Sequence, residues 1–290
     1  MNKTYSPLIT KNILYMKNKL LKFLPWILLI IGAIFFLFPI ALIFITAFKP
    51  DAEIIHFESL FPKVWTLDNF REILGTPEEI PIFRWFFNSI FISTSVTLLV
   101  LIVDSLAAYA LARLDLPGKK TAFALIIATM MVPGQILLVP VYLILNWLHW
   151  IDTPLALIIP AGAGAFGVFL LRQFFLAIPK ELEEAAIIDG CSKWRIYWHI
   201  ILPLSKPALA TLGIFTFIGS WNDFMGPLVF LDSLDKYTLP VGVALFQTRY
   251  YAEYGITLAA CVICTLPVVI IFILFQKHII EGIALTGLKE

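Results

Sequence analysis

The chain has 290 residues, of which 60% are hydrophobic and only 14% charged, and its mean hydropathy is +0.90. Soluble domains carry roughly 25% charged residues; a chain this poor in charge cannot coat a water-facing surface, so its solvent is lipid. The formal net charge of +1 excludes the basic footprint by which a protein binds nucleic acid.

A helix crosses the hydrocarbon core with roughly 20 apolar residues. Six stretches reach that length: 24–48, 86–111, 121–147, 155–175, 207–231 and 254–275. The expected fold is therefore all-α and integral to the membrane, with six transmembrane helices. Residues 1–23 carry Lys3, Lys11, Lys17, Lys19 and Lys22, as the start of a signal peptide would. The apolar run that follows is too long for one and ends without a small-residue cleavage site, so the first span (24–48) is expected to be retained. Residues 49–85 then form an extracytoplasmic loop, 86–276 the core and 277–290 a tail. Cytoplasmic loops carry the excess of basic residues. Placing both termini in the cytoplasm puts 15 of the 21 basic residues inside, Arg113, Lys119, Lys120, Arg172, Lys180, Lys193, Arg195 and Lys206 among them. Only Lys49, Lys63, Arg71, Arg84, Lys236 and Arg249 fall outside.

The loop after the first span is acidic, with Asp51, Glu53, Glu58, Asp68, Glu72, Glu78 and Glu79; it reads as a solvated connector or as a docking surface. Aromatic groups mark span ends: Trp85, Phe86 and Phe87; Trp147 and Trp150; Tyr250, Tyr251 and Tyr254. Such rings settle at headgroup level or pack between helices. The second span holds Asp104 beside Ser105, Ala107 and Ala108, and a charge inside a span marks function by default; the alternative is a hydrogen-bond node, which suits Asp104 better. The third span carries Pro133, Gly134 and Pro140, the fourth Pro160, Gly162, Gly164 and Gly167, residues that kink helices or let them approach closely. Gly162 to Gly167 spells G-x-G-x-x-G, but no strand precedes it and no ribose-binding acid follows, so dinucleotide binding is excluded.

Between the fourth and fifth spans, residues 172–206 are the densest polar stretch of this apolar half. Pro179 suits the first turn of a helix, Glu181, Glu183 and Glu184 favour its dipole, and Gly190 is a natural stop. A short helix is expected over 179–189, with Leu182, Ala185, Ala186 and Asp189 on one face. A second is expected to begin at the N-cap Ser192 and to end at Pro203. Two short helices meeting at a glycine make a compact knob below the membrane, or an ordinary surface loop. In the fifth span Trp221, Asn222 and Asp223 combine an aromatic ring with polar groups, as sugar-binding surfaces do; a structural node fits them equally. Cys191, Cys261 and Cys264 form no staple, and the C-x-x-C at 261–264 lies in an apolar run without a second ligand pair. No metal site is expected from His56, His149, His199 or His278.

Glu184-Ala185-Ala186, Asp189-Gly190 and, nine residues on, Ile200-Ile201-Leu202-Pro203 resemble the EAA signature of binding-protein-dependent ATP-binding-cassette (ABC) permeases. The likeness runs from about Asn88 to the C-terminus. It takes in Ala107-Ala108-Tyr109-Ala110-Leu111-Ala112-Arg113, Met131-Val132-Pro133, Ser220-Trp221-Asn222-Asp223 and Tyr237-Thr238-Leu239-Pro240, and it is nearest the carbohydrate branch and its six-span maltose permease. Cys191 stands where that family usually has alanine. The resemblance implies a type-1 importer permease fold in a bacterial plasma membrane and a non-enzymatic role. Its implied partners are a homologous second permease, two ABC ATPase subunits that use the ATP, and an extracytoplasmic sugar-binding protein. Glu184, Ala185, Ala186, Asp189, Gly190, Leu202 and Pro203 would couple to the ATPase, and Trp221, Asn222 and Asp223 would line the substrate path. No cofactor is expected on this chain, which lacks a Walker A loop: Pro117-Gly118-Lys119-Lys120 has neither the glycines nor the following Ser/Thr. A neutral sugar or oligosaccharide is the expected cargo, glycerol phosphate or a polyol the alternative. A secondary transporter would need acid–base relays or matched repeats, and a membrane enzyme a nucleophile–base or metal constellation; neither is legible.

Overall fold

The computed structural model describes residues 7–56, 59–75, 80–249 and 254–287. Lys3, Glu58, Glu78, Glu79, Tyr250 and Tyr251, named above, lie outside the described residues. Those described form helices α1 (Pro7–Thr46), α2 (Asp51–His56), α3 (Asp68–Gly75), α4 (Ile82–Arg113), α5 (Lys119–Thr129), α6 (Gly134–Trp147), α7 (Leu155–Ile158), α8 (Ala165–Ala177), α9 (Glu181–Ile188) and α10 (Lys193–Ile196). A π turn over Tyr197–Ile201 leads to α11 (Leu202–Leu204), α12 (Lys206–Trp221), α13 (Met225–Phe230), α14 (Leu239–Arg249) and α15 (Tyr254–Gly287).

Three stretches are continuous, long and apolar enough to cross a bilayer: Phe23–Thr46 in α1, all of α4, and Tyr254–Gln276 in α15. The remaining expected spans are broken. The 121–147 run bends by 99° between α5 and α6, where Pro133 adopts extended backbone and leaves α6 to restart at Gly134. The 155–175 run is the short α7 followed, past an extended Gly164, by the 13-residue α8. The 207–231 run stops at Trp221 and resumes as α13, and α10–α11 meets α12 at 77°. Among the described residues three helices are thus long and apolar enough to cross, or five spans when each bent pair makes one, and the remaining expected span, 155–175, is divided between α7 and α8. Hydropathy counts apolar residues; it does not register where the backbone leaves the helical region.

Two compact units divide the chain. In one, residues 1–71 and 252–262, the end of α1 is closed by hydrogen bonds. The buried Asn69 donates to the carbonyls of Ala47 and Lys49, both at 2.9 Å, and stands where a side chain on Gly255 would collide with it. Lys49, counted above among the outer charges, is buried, its Nζ donating to the Ser59 carbonyl at 2.6 Å. Asp51 accepts from the Gly255 amide at 2.8 Å.

The other unit, 72–251 and 263–290, is organised on α4, with α8 and α12 packed along it. Its buried residues Ile82, Trp85, Ser89, Ile92, Val96, Val100, Asp104 and Ala108 recur at three- and four-residue steps, one face of a helix. Phe83, Phe87, Phe91, Leu98 and Ile102 form the exposed, lipid-suited face. Small residues let the neighbours close in. A side chain on Gly162 would strike Leu99, on Gly167 the Asp104 carboxylate, and on Gly242, in α14, the ring of Trp85. The glycines of the G-x-G-x-x-G run therefore serve helix packing.

Candidate functional site

Helix α9 ends by the rule its sequence suggests. Gly190 has φ +80°, its amide donates to the Ile187 carbonyl at 3.0 Å, and the next amide, of Cys191, donates to Ala186 at 2.9 Å. This is the double hydrogen bond of a Schellman stop. Ser192 then caps α10, accepting from the Arg195 amide at 3.3 Å. Pro203 does not end this second segment; the helix runs through to Leu204. Proline lacks the amide hydrogen an α-helix needs at that point, and the π turn immediately before it widens the helix to admit the ring.

The faces of α9 differ from the expected arrangement. Glu183 and Ala186 are buried, whereas Leu182, Glu184, Ala185, Ile187, Ile188 and Asp189 are exposed. Ala186 thus packs inward while Ala185 stays free, and Ile188, 86% exposed, stands out as an apolar tip. Trp194 and Trp198 are likewise exposed, crossed edge to face with centroids 6.0 Å apart. Leu202 is half-buried and Pro203 exposed. The outward surface of α9–α11 is a small, mixed apolar and acidic knob.

The acid that binds the body is Glu183, one residue before the expected Glu184. Its carboxylate lies 3.0 Å from Nε of Arg113 at the end of α4, both side chains almost wholly buried. Neither atom makes a hydrogen bond, so the contact is one of charge. Arg113 Nη2 also donates to the carbonyls of Phe175 and Ile178, a cation at the C-terminus of α8 where the helix dipole favours it. One turn earlier on α4, the Tyr109 hydroxyl donates to the Lys193 carbonyl at 3.0 Å. Another turn back, Ser105 Oγ and the Tyr197 hydroxyl are 2.7 Å apart. The spacing of these groups on α4 is visible in the sequence; their partners are not.

Asp104 is fully buried, its two oxygens accepting from the Gly164 amide at 3.0 and 3.3 Å. It caps α8, the structural role. The Trp221-Asn222-Asp223 group is split apart. Trp221 is buried, donating from Nε1 to the Cys264 carbonyl at 3.2 Å and packing against Phe86 and Phe217, so it pins helices together. Asn222 ends α12 and is exposed. Asp223 alone reaches a groove, while one of its oxygens accepts from the Gly226 amide at 3.3 Å. That groove has two lobes, of about 260 and 420 Å³, sharing Leu157, Ala161 and Asp223; its other polar groups come from Thr216, Ser220 and Gln135. Neither lobe is lined by a Lys or Arg.

Residues 105–284 match the family described as binding-protein-dependent transport system inner membrane component. The chain is 39% identical to the arabinooligosaccharides transport system permease protein AraQ of Halalkalibacterium halodurans, over 94% of this chain and 100% of that one. It is 34% identical to the AraQ of Bacillus subtilis, over 89% and 92%, and 33% identical to the sulfoquinovosyl glycerol transport system permease protein SmoH of Agrobacterium fabrum, over 95% of each. A solved bacterial ABC transporter involved in the import of the acidic polysaccharide alginate contains a chain of the same fold, with TM-score 0.80 at 24% identity over 95% of this chain and 99% of that chain.

Proposed function

The chain belongs to the family of binding-protein-dependent inner-membrane transport components, is a multi-pass permease subunit of an ABC importer rather than an enzyme, and from that premise we propose that its α9–α11 knob receives the stroke of a separate ATPase. The observation that carries this reading is the exposure of Ile188, Ala185 and Glu184 on a helix whose opposite face is bolted to α4 through Glu183 and Arg113. A free apolar tip beside a shallow alanine admits a partner's groove, and a buried ion pair behind it prevents the knob from merely swivelling. Glu184, Ala185, Asp189 and Gly190 form the contacting side and its stop; Ala186, Leu202 and Pro203 set the knob's shape. The positive-inside balance puts this knob, and both termini, in the cytoplasm. The working assembly is this chain, a homologous permease, two ATPase subunits that bind the ATP, and an extracytoplasmic sugar-binding protein.

The cargo we propose is a neutral oligosaccharide, with arabino-oligosaccharides the first class to test because the AraQ relatives carry that name. Around Asp223 the groove offers hydroxyl, amide and carboxylate acceptors and no cation, which suits sugar hydroxyls and disfavours a phosphate or a uronic acid. Purification in mild detergent should bring down an ATPase and a second permease, and thermal-shift screening of the matching binding protein should select a neutral sugar from a mixed panel. Replacing Asp223 with Asn should preserve assembly and reduce uptake several-fold. Recovery of the chain alone with ATP-independent transport would refute the reading.

A further inference from the structure

The helix that carries the Ala107–Arg113 motif, α4, has a distinctive pattern of contacts at its two ends. Ser105, Tyr109 and Arg113 follow one another at four-residue steps along one edge of α4. Each takes a different part of the knob: Tyr197 in the π turn, the Lys193 carbonyl opening α10, and Glu183 in α9. Among the described residues, the long-range side-chain hydrogen bonds and ion pairs made to 180–205 all come from α4. At its other end α4 grips a second segment in the same way. Trp85 Nε1 donates to the Leu234 carbonyl at 2.6 Å, Asn88 Nδ2 to those of Asp235 and Tyr237 at 2.9 and 3.0 Å, and Ser89 Oγ accepts from the Leu239 amide at 2.8 Å.

Between Asn88 and Arg113 run about 38 Å of helix at 1.5 Å per residue. Of the three helices long enough to span, α1 contains Pro25 and Pro39 and α15 contains Pro267; α4 has neither proline nor glycine. The Thr97 and Ser105 hydroxyls bond carbonyls one turn back, yet α4 stays continuous over its 32 residues, while its neighbours in the same unit are broken. Midway, Asp104 fixes the start of α8 to it, so movement of α4 carries α8 along.

We propose that α4 is the lever of the permease: it carries displacement of the knob to the 234–239 segment on the opposite membrane face. Arg113, Tyr109 and Ser105 are positioning residues at the driven end, and Trp85, Asn88 and Ser89 at the delivering end. This rests on the coupling role proposed above for the knob. Because coupling between sites is reciprocal, events at 234–239, on the side where the binding protein docks, report back to the ATPase through the same helix.

The test uses the whole complex in proteoliposomes with its binding protein and measures sugar imported per ATP hydrolysed for Glu183→Gln, Tyr109→Phe, Asn88→Ala and the Asn88→Ala/Glu183→Gln double variant. Each single variant should retain its ATPase subunits and hydrolysis within about twofold, while import per ATP falls about tenfold, within the usual range of coupling between sites. The double variant should fall no further than the worse single one, since a lever released at either end transmits nothing. Independent sites so far apart would multiply their effects. A multiplicative double variant, an unchanged import-to-hydrolysis ratio, or loss of ATPase subunits from both Glu183→Gln and Tyr109→Phe would overturn the lever. A wild-type complex without ATP-driven uptake would instead overturn the coupling reading, and the lever with it.

Discussion

Gly190 shows how one backbone angle can limit a residue. No atom lies within 4 Å of where its side chain would start, so the constraint is the positive φ alone, which costs an ordinary L-residue roughly 1–2 kcal/mol and a β-branched one more. Gly190→Val should abolish uptake while membrane insertion, followed by fractionation, stays normal. Gly190→Asn, which tolerates this region, should keep most of the activity. Equal failure of both would mean that space, and not φ, is decisive. At the other end of the bundle Asp152, itself at φ 59°, gathers Lys236 Nζ at 2.7 Å, Ser233 Oγ at 2.6 Å and the amides of Asp232 and Ser233, both at 3.0 Å. Burial alone would push its carboxyl up, but the bonds from Lys236, Ser233 and Asp232 outweigh it and hold the group well below the usual carboxylate range. A depressed carboxyl contributes stability above its unfolded value of about 3.9, and that contribution is lost as the pH falls below it. Asp152→Asn, which keeps the backbone preference, should therefore melt earlier than wild type at pH 7, and the gap should narrow progressively as the pH falls below about 4. A gap independent of pH would assign the effect to shape instead of charge.

Among the elements, the packing of α8 on α4 makes the sharpest prediction. Gly167→Ala places a methyl group against the Asp104 carboxylate and Leu212, and overpacking of this kind costs about 1–3 kcal/mol. The variant should lose thermal stability in detergent, whereas Gly134→Ala, with open space around it, should not lose it by this route. The elements also show what the sequence makes legible. The glycine stop of α9 and the Ser192 cap follow from local chemistry, and both appear as read. Pro133 and Gly164, singled out in the sequence as residues that kink helices or let them approach, do stand at breaks; the break at 222–224 is not legible from hydropathy, because a helix cap changes no apolar count. Glu183 and Glu184 are the same residue type side by side; only Arg113, far along the chain, decides which is buried. Trp221 and Asp223 are two positions apart, yet the end of α12 sends one into the packed interior and the other to the groove.

At the scale of the molecule, the unit organised on α4 sets an unbroken helix among broken ones, a stiff member beside compliant neighbours. Membership of the importer family follows from the match over 105–284, whereas the path of force proposed above, from knob through α4 to the far face, is supported by the buried polar contacts at the two ends of α4. The measurement that tests the central claim most directly is sugar uptake into proteoliposomes holding the full complex, with ATP supplied on the knob side, for wild type and Gly190→Val. Uptake that requires ATP and the binding protein, and that the variant loses while its ATPase subunits stay bound, is the predicted result. Uptake without ATP, or at the wild-type rate in the variant, would contradict it.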